Sequence, residues 1–222
     1  MKYQRARGKI LDTFINTQMA DTTTILPSLK ISLDIENVSR FTSLLQSGIG
    51  LESSTGTSLG VFLSNLPNFE PEYISDRVQT IFFDGNAVDD LEKHLSEPNH
   101  VVALSAAMPG LAGAIFRRNS LCAALRTNAS STHTDHSSTR PCIVTLKLFN
   151  HIALEKGGAL LEKGGLFSGS SLIDFFHQRP ALLLCIASFT MNNIPVPPER
   201  VIQQLDEAKT YHLQLATPTA VQ

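Results

Sequence analysis

A chain of 222 residues, 42 % hydrophobic and 17 % charged, carries enough apolar side chains to bury a core, as one domain or as two small ones. Eighteen basic against twenty acidic residues leave a formal charge of −2, which argues against wrapping nucleic acid or an acidic membrane over a broad surface. The three cysteines, Cys122, Cys142 and Cys185, are scattered and show no C-x-x-C spacing, so neither a disulfide framework nor a zinc knuckle is indicated, and a reducing, cytoplasmic setting is expected.

The opening "MKYQRARGKILDTFI" has a short apolar part interrupted by Asp12, and no apolar run in the chain reaches the length that crosses a bilayer. Residues 1–25 read as an extension outside the core. Met19 offers a second start, and Ile10, Leu11, Phe14 and Ile15 ahead of it can pack on a partner.

From Leu29, "LKISLDI" alternates as a strand does. Phe41, Leu44 and Leu45 then recur at helical spacing, and Gly48 supplies a stop. Thr57 or Ser58 is placed to cap a second helix whose inner face carries Leu59, Phe62 and Leu63, and Pro67 ends it because proline cannot continue the hydrogen-bond ladder. In "VQTIFFDGNAVDDLEKHL", Asp84-Gly85 marks a two-residue hairpin turn, since both residue types tolerate positive φ. Asp89 and Asp90 read as the N-terminal cap of a helix that follows. "VVALSA" closes the segment as a strand with Val101 and Ala103 inward.

The next stretch, Leu111 to Arg126, is expected to be helical, with Ile115, Phe116, Leu121 and Leu125 packed inward and Arg117, Arg118 and Arg126 on a wetter side. Gly110 and Gly113 permit close approach of backbone, and with Arg117 and Arg118 they form the candidate site for an anionic ligand or a partner. An ordinary solvated face is the plainer alternative, because no G-x-x-x-x-G-K-[ST] or G-x-G-x-x-G signature accompanies them. Thr127 to Arg140 is a polar linker. Its His133, Asp135 and His136 lie close enough to share a metal ion, but a serine-threonine loop offers no second shell to hold them, and no cofactor is expected.

Past the linker the pattern repeats. "IVTLKLF" from Ile143 stands for "LKISLDI", "LLEKGGLF" at Leu160 for "LLQSGIGL" at Leu44, and "SLIDFFHQRP" at Ser171 for "SLGVFLSNLP" at Ser58. Ser170 or Ser171 would cap the second copy's helix, with Leu172, Phe175 and Phe176 inward and Pro180 as the stop. Downstream, Ile81, Phe83 and Val88 fall on Phe189, Met191 and Val196, the Asp84-Gly85 turn falls on Asn192-Asn193, and Val101 falls on Tyr211. One core is expected from Leu59, Phe62, Ile81, Phe83, Val101 and Ala103, and its equivalent from Leu172, Phe175, Phe189, Met191 and Leu213.

This order of elements, with "IFFDGNAVDDLEKHLSEPNHVVALSAAMPG", resembles the β-grasp (ubiquitin-like) fold, and within it the molybdopterin-synthase small subunit and thiamine sulfur-carrier group. The resemblance covers Leu26 to Gly110 and, more loosely, Cys142 to Ala216. It implies an α+β protein of two tandem β-grasp domains, residues 26–110 and 142–217, joined by a helix and polar linker at 111–141. A carrier of that group needs a free C-terminal Gly-Gly, whereas here the chain runs on past Gly110 and Gly113 and its second copy ends in "ATPTAVQ". The expectation is therefore a non-catalytic binding or assembly protein with a protein partner or self-association, and with neither nucleic acid nor a membrane span. A carrier-like precursor and a binder of a small anionic ligand in the crevice between the copies are the alternatives.

Overall fold

A computed structural model describes residues 26–126 and 139–217. The protein is α+β. In chain order the strands are β1 (Ser28–Leu33), β2 (Ile49–Ser54), β3 (Thr80–Phe83), β4 (Asn86–Ala87), β5 (Asn99–Ser105), β6 (Pro141–Leu148), β7 (Gly165–Ser168), β8 (Ile186–Met191), β9 (Ile194–Pro195) and β10 (Thr210–Ala216). The helices are α1 (Ile35–Phe41), α2 (Leu59–Ser64), α3 (Pro71–Asp76), α4 (Gly110–Phe116), α5 (Asn150–Lys163), α6 (Gly169–Gln178) and α7 (Val201–Gln204). Each repeat thus has the expected succession of strand, helix, strand, helix, hairpin and closing strand.

The compact units do not coincide with the repeats. One unit comprises residues 45–160 and the other residues 1–44 with 161–222. The two cuts fall at equivalent places, Leu44/Leu45 and Leu160/Leu161, within the matching "LLQSGIGL" and "LLEKGGLF" phrases. Each unit therefore takes the first strand and helix of one repeat and the remaining strands of the other. The repeats are interleaved where the sequence suggested two self-contained domains at 26–110 and 142–217.

In the 45–160 unit the strand order is β4-β3-β5-β6-β2, with β5 and β6 parallel and the other neighbours antiparallel. In the other it is β9-β8-β1-β10-β7, with β1 and β10 the parallel pair. The hairpin's inner neighbour is thus a last strand, β5, in one unit and a first strand, β1, in the other. Periodicity cannot register that exchange, because a strand buried at the centre of a sheet presents the same alternation whichever neighbour it has.

In each unit helices bring leucine and phenylalanine onto the apolar face of the strands. In the 45–160 unit Leu59, Phe62 and Leu63 from α2 are buried together with Ile81, Phe83, Val102, Leu104, Val144 and Leu146 from the strands. In the other unit Phe41 of α1 lies 5.6 Å from Phe175 and 6.4 Å from Phe176 of α6, measured between ring centroids, and Leu29, Ile31, Leu172, Phe189 and Leu213 complete the core. Fully burying side chains of this size contributes about 1.5 to 3 kcal/mol each.

Local punctuation is largely as expected, with four corrections. Ser58 Oγ accepts from the Val61 N–H at 3.3 Å and caps α2, but the cap of α6 is Ser168, accepting from Ser171 N–H at 3.2 Å, so this helix begins a turn earlier than Ser170 or Ser171 would set it. Both hairpin turns have positive φ at both positions, 50° and 82° for Asp84-Gly85 and 52° and 64° for Asn192-Asn193. Gly48 has φ 113°, and a Cβ there would stand 2.6 Å from Thr145 Cγ2 on β6, so only glycine fits. Strand β5 is out of the expected register: His100, Val102 and Leu104 are buried while Val101 and Ala103 are half-buried. Met191, expected in the second core, is half-buried as well. Finally, no helix follows Asp89 and Asp90; Asp90 Oδ1 instead accepts from the Glu92 N–H at 2.8 Å in a local turn.

Candidate functional site

The segment that carries the candidate residues is not one helix over Leu111 to Arg126. α4 stops at Phe116, the chain turns through Asn119 at φ 55°, and a short 3-10 stretch runs from Leu121 to Leu125. Gly110 has φ 71°, and Gly113 is buried so closely that a Cβ would come within 1.8 Å of the Met108 carbonyl oxygen. The two glycines serve the tight entry into α4. With only 7 residues, α4 is too short a helix for its N-terminus to make an anion site.

The arginines divide by role. Arg117 is exposed. Arg118 donates from Nη1 to the carbonyls of Ile74 at 3.0 Å and Val78 at 3.3 Å, and its backbone N–H reaches the Gln79 carbonyl at 2.7 Å. It thereby ties this segment to the C-terminal end of α3. Burial lowers the guanidinium's affinity for its proton, partly offset by the charge of Asp89. Its Nε and the Oε1 of Gln79 are buried without a hydrogen-bond partner among the described residues, but the Asp89 carboxylate nearby is repellent to an anion. Arg126, expected on the wetter side, has a side chain only 8 % exposed. It forms an ion pair with Asp89 at 2.8 Å, and its Nε donates to the Ile115 carbonyl at 2.8 Å. Of the leucines expected to pack inward here, Leu121 and Leu125 are exposed, as is Leu111, whereas Phe116 packs on Phe82 at 5.3 Å between centroids. His133, Asp135 and His136 lie outside the described residues. Among the described residues no three His, Cys, Asp or Glu side chains gather as a metal site, and no helix is long and apolar enough to cross a membrane.

The pair most like catalytic machinery is one the sequence did not single out. His100, whose side chain is 1 % exposed, directs Nδ1 at Asp84 Oδ2 across 2.7 Å. Its Nε2 accepts the backbone N–H of both Ser96 and Glu97 at 2.9 Å, which leaves Nδ1 as the nitrogen that donates to Asp84. An imidazole acting as base needs a free Nε2 lone pair, and this one is occupied twice over. Burial opposes ionisation of Asp84, but the His100 hydrogen bond, the Val101 N–H at 2.8 Å on Oδ1 and the Lys93 charge outweigh it and hold the carboxyl below its ordinary value. The other repeat has Tyr211 in the place of His100: it is buried, and its hydroxyl accepts the Asp206 N–H at 2.8 Å from the loop before β10. An imidazole in one copy and a phenol in the other do the same work of satisfying a loop N–H. The clue in the sequence was His100 facing Tyr211 once β5 is shifted by one residue.

A second polar cluster joins α3 to α5 within the 45–160 unit. Tyr73 donates from its hydroxyl to Glu155 Oε2 at 2.7 Å, Arg77 pairs with Glu155 Oε1, and Lys156 Nζ sits 3.8 Å from the centre of the Tyr73 ring. Burial, reinforced by the Glu155 carboxylate, pushes the Tyr73 hydroxyl well above the ordinary phenol range, and the Arg77 and Tyr73 hydrogen bonds hold Glu155 below the ordinary carboxylate value. This arrangement fastens one helix to another. Compared with protein-family models, with curated proteins and with solved structures, the chain finds no match.

Proposed function

We propose that the chain is a non-catalytic binding or assembly protein whose docking surface is the segment from Leu111 to Leu125. The observation that carries this reading is the exposure of three leucines on that one segment: Leu111 at 72 %, Leu121 at 102 % and Leu125 at 69 %. The partner that fits is a protein with an apolar patch bordered by carboxylates, which would take the leucines and the exposed Arg117 together. The imidazole of His100 and the guanidinium groups of Arg118 and Arg126 are spent on backbone carbonyls, N–H groups and Asp89, which supports binding over chemistry at these positions. A β-grasp reading belongs to the same proposal, with the repeats interleaved and not in tandem, supported by a mixed strand order with a central parallel pair in each unit. A carrier-like role would require cutting after Gly110 or Gly113, and the packing of Gly113 against Met108 weighs against it.

The test is a double variant, Leu121→Ser with Leu125→Ser, which at such exposed positions should alter stability by no more than about 0.5 kcal/mol. Wild type and variant are each used to recover partners from the native source, with the amounts quantified. Loss of a stoichiometric partner from the variant alone is expected; equal recovery of every partner would contradict the proposal. In parallel, a thermal-shift screen against phosphorylated metabolites tests the anion-binding alternative, since a ligand at a hundredfold its dissociation constant stabilises by about 2.7 kcal/mol.

A further inference from the structure

We propose that Ser120 is a phosphoacceptor site for an arginine-directed serine/threonine protein kinase. The proposal does not rest on the docking reading above. The chain reads Arg117-Arg118-Asn119-Ser120-Leu121, with guanidinium groups three and two residues before a hydroxyl and an apolar side chain directly after it. Kinase carboxylates grip arginines at those offsets through paired charge-assisted hydrogen bonds, and an apolar pocket takes the following residue. The structure puts this pentapeptide on a surface turn between α4 and the 3-10 stretch, with Arg117 exposed, Asn119 at φ 55° and Leu121 fully exposed. Three side-chain holds keep the turn closed, with Ser120 and Arg118 half-buried: Ser120 Oγ donates to the Ala114 carbonyl at 2.7 Å, Arg118 donates to the carbonyls of Ile74 and Val78, and Arg126 Nη2 donates to the Arg117 carbonyl. The Arg118 N–H on the Gln79 carbonyl at 2.7 Å is a further hold that a kinase must release. No strand pairing would have to break for the turn to enter a kinase cleft in extended form.

In the transfer, Ser120 Oγ attacks the γ-phosphorus of a nucleoside triphosphate. The Oγ–P bond forms as the bond to the nucleoside diphosphate breaks, and the hydroxyl proton passes to the kinase's carboxylate base. The product cannot donate to the Ala114 carbonyl, and it sets a charge of about −2 within a segment that holds Arg117, Arg118 and Arg126. Arg126, now paired with Asp89, gains a competing anion, so modification is expected to loosen the hold of Asp89 on this segment.

The experiment incubates the folded full chain with the catalytic subunit of an arginine-directed kinase and ATP, beside a peptide of residues 114–124, and locates phosphate by mass spectrometry. Phosphate on Ser120 of the folded chain is expected, with none there in Ser120→Ala. In Arg117→Ala, whose exposed side chain makes no hydrogen bond or ion pair among the described residues, incorporation should fall about tenfold or more, as loss of a charge-assisted pair dictates. Phosphorylation of the peptide but not of the folded chain, phosphorylation of neither, or undiminished incorporation in Arg117→Ala would each overturn the proposal.

Discussion

Asn192 holds Ser28, 164 residues away in the chain, by two hydrogen bonds: its backbone N–H donates to the Ser28 carbonyl at 2.8 Å, and its Oδ1 accepts the Ser28 N–H at 2.9 Å. Asp84 holds Val101 in the same way, N–H to carbonyl at 2.8 Å and Oδ1 from N–H at 2.8 Å. Both residues open a hairpin turn, and both clasp the strand that lies inside the hairpin. In the 45–160 unit that strand is β5, from the same repeat; in the other unit it is β1, contributed by the opposite repeat. A turn residue of one repeat is thus fastened to the first strand of the other.

Removing either clasp should weaken its own unit, and Asp84 should matter more because it also faces His100. Asp84→Ala leaves the Val101 N–H and the buried His100 Nδ1–H without acceptors and places alanine at φ 50°, at an expected cost of about 2 to 4 kcal/mol. Asn192→Ala likewise places alanine at positive φ, 52°, but loses only one acceptor at an exposed site, for about 1 to 3 kcal/mol. Urea denaturation of each variant measures both costs.

The equivalence of His100 and Tyr211 gives a second paired comparison. Tyr211→Phe removes one acceptor from the Asp206 N–H and should cost about 1 kcal/mol. His100→Phe abandons two N–H groups and the Asp84 carboxylate, and about 2 to 4 kcal/mol is expected. Equal losses by equilibrium unfolding would show that the histidine has no larger part than the tyrosine.

The pH dependence follows from Asp84, whose carboxyl is held below its ordinary value in the fold. The unfolded chain binds that proton at higher pH than the folded chain does. The stabilisation is therefore complete above the ordinary value of about 3.9 and is lost as pH falls through the lower folded value. Stability measured from about pH 6 down to about pH 2 should fall more steeply in the wild type than in Asp84→Asn, whose side chain does not titrate. Parallel curves would remove Asp84 as a contributor to acid unfolding.

Arg117 and Arg118, neighbours in sequence, should part company under mutation. Arg117→Ala is expected to change stability by no more than about 0.5 kcal/mol, whereas Arg118→Ala frees the carbonyls of Ile74 and Val78 and should cost about 1 to 3 kcal/mol. Thermal unfolding of the two single variants separates them.

What could be read in the sequence was mostly local. The hairpin turns at Asp84-Gly85 and Asn192-Asn193, the cap at Ser58 and the stops at Gly48, Pro67 and Pro180 each follow from the backbone preferences of one or two residues, and they mark the repeat in order. The register of β5 was not legible, because "VVAL" is apolar at four successive positions and gives no alternation to choose between Val101 and Val102. The exchange of β1 and β6 between repeats was not legible either. Leu29, Ile31 and Leu33 require a buried face, and both units offer one. At the candidate site, residue type suggested a guanidinium pair facing solvent; only the carbonyls of Ile74 and Val78, some forty residues earlier in the chain, assign Arg118 to the fold.

Interleaving is tested most directly by cutting the chain once between the repeats, with a protease site placed in residues 127–138, and then separating the two pieces in denaturant and renaturing each alone and together. The first piece carries β1 and α1, which belong with the second repeat's strands, and the second carries β6 and most of α5, which belong with the first's. Neither piece alone should unfold cooperatively, and mixing should restore a one-to-one complex with the circular dichroism and urea midpoint of the cut native protein. Two pieces that each refold alone, with cooperative transitions that mixing leaves unchanged, would contradict the interleaved architecture.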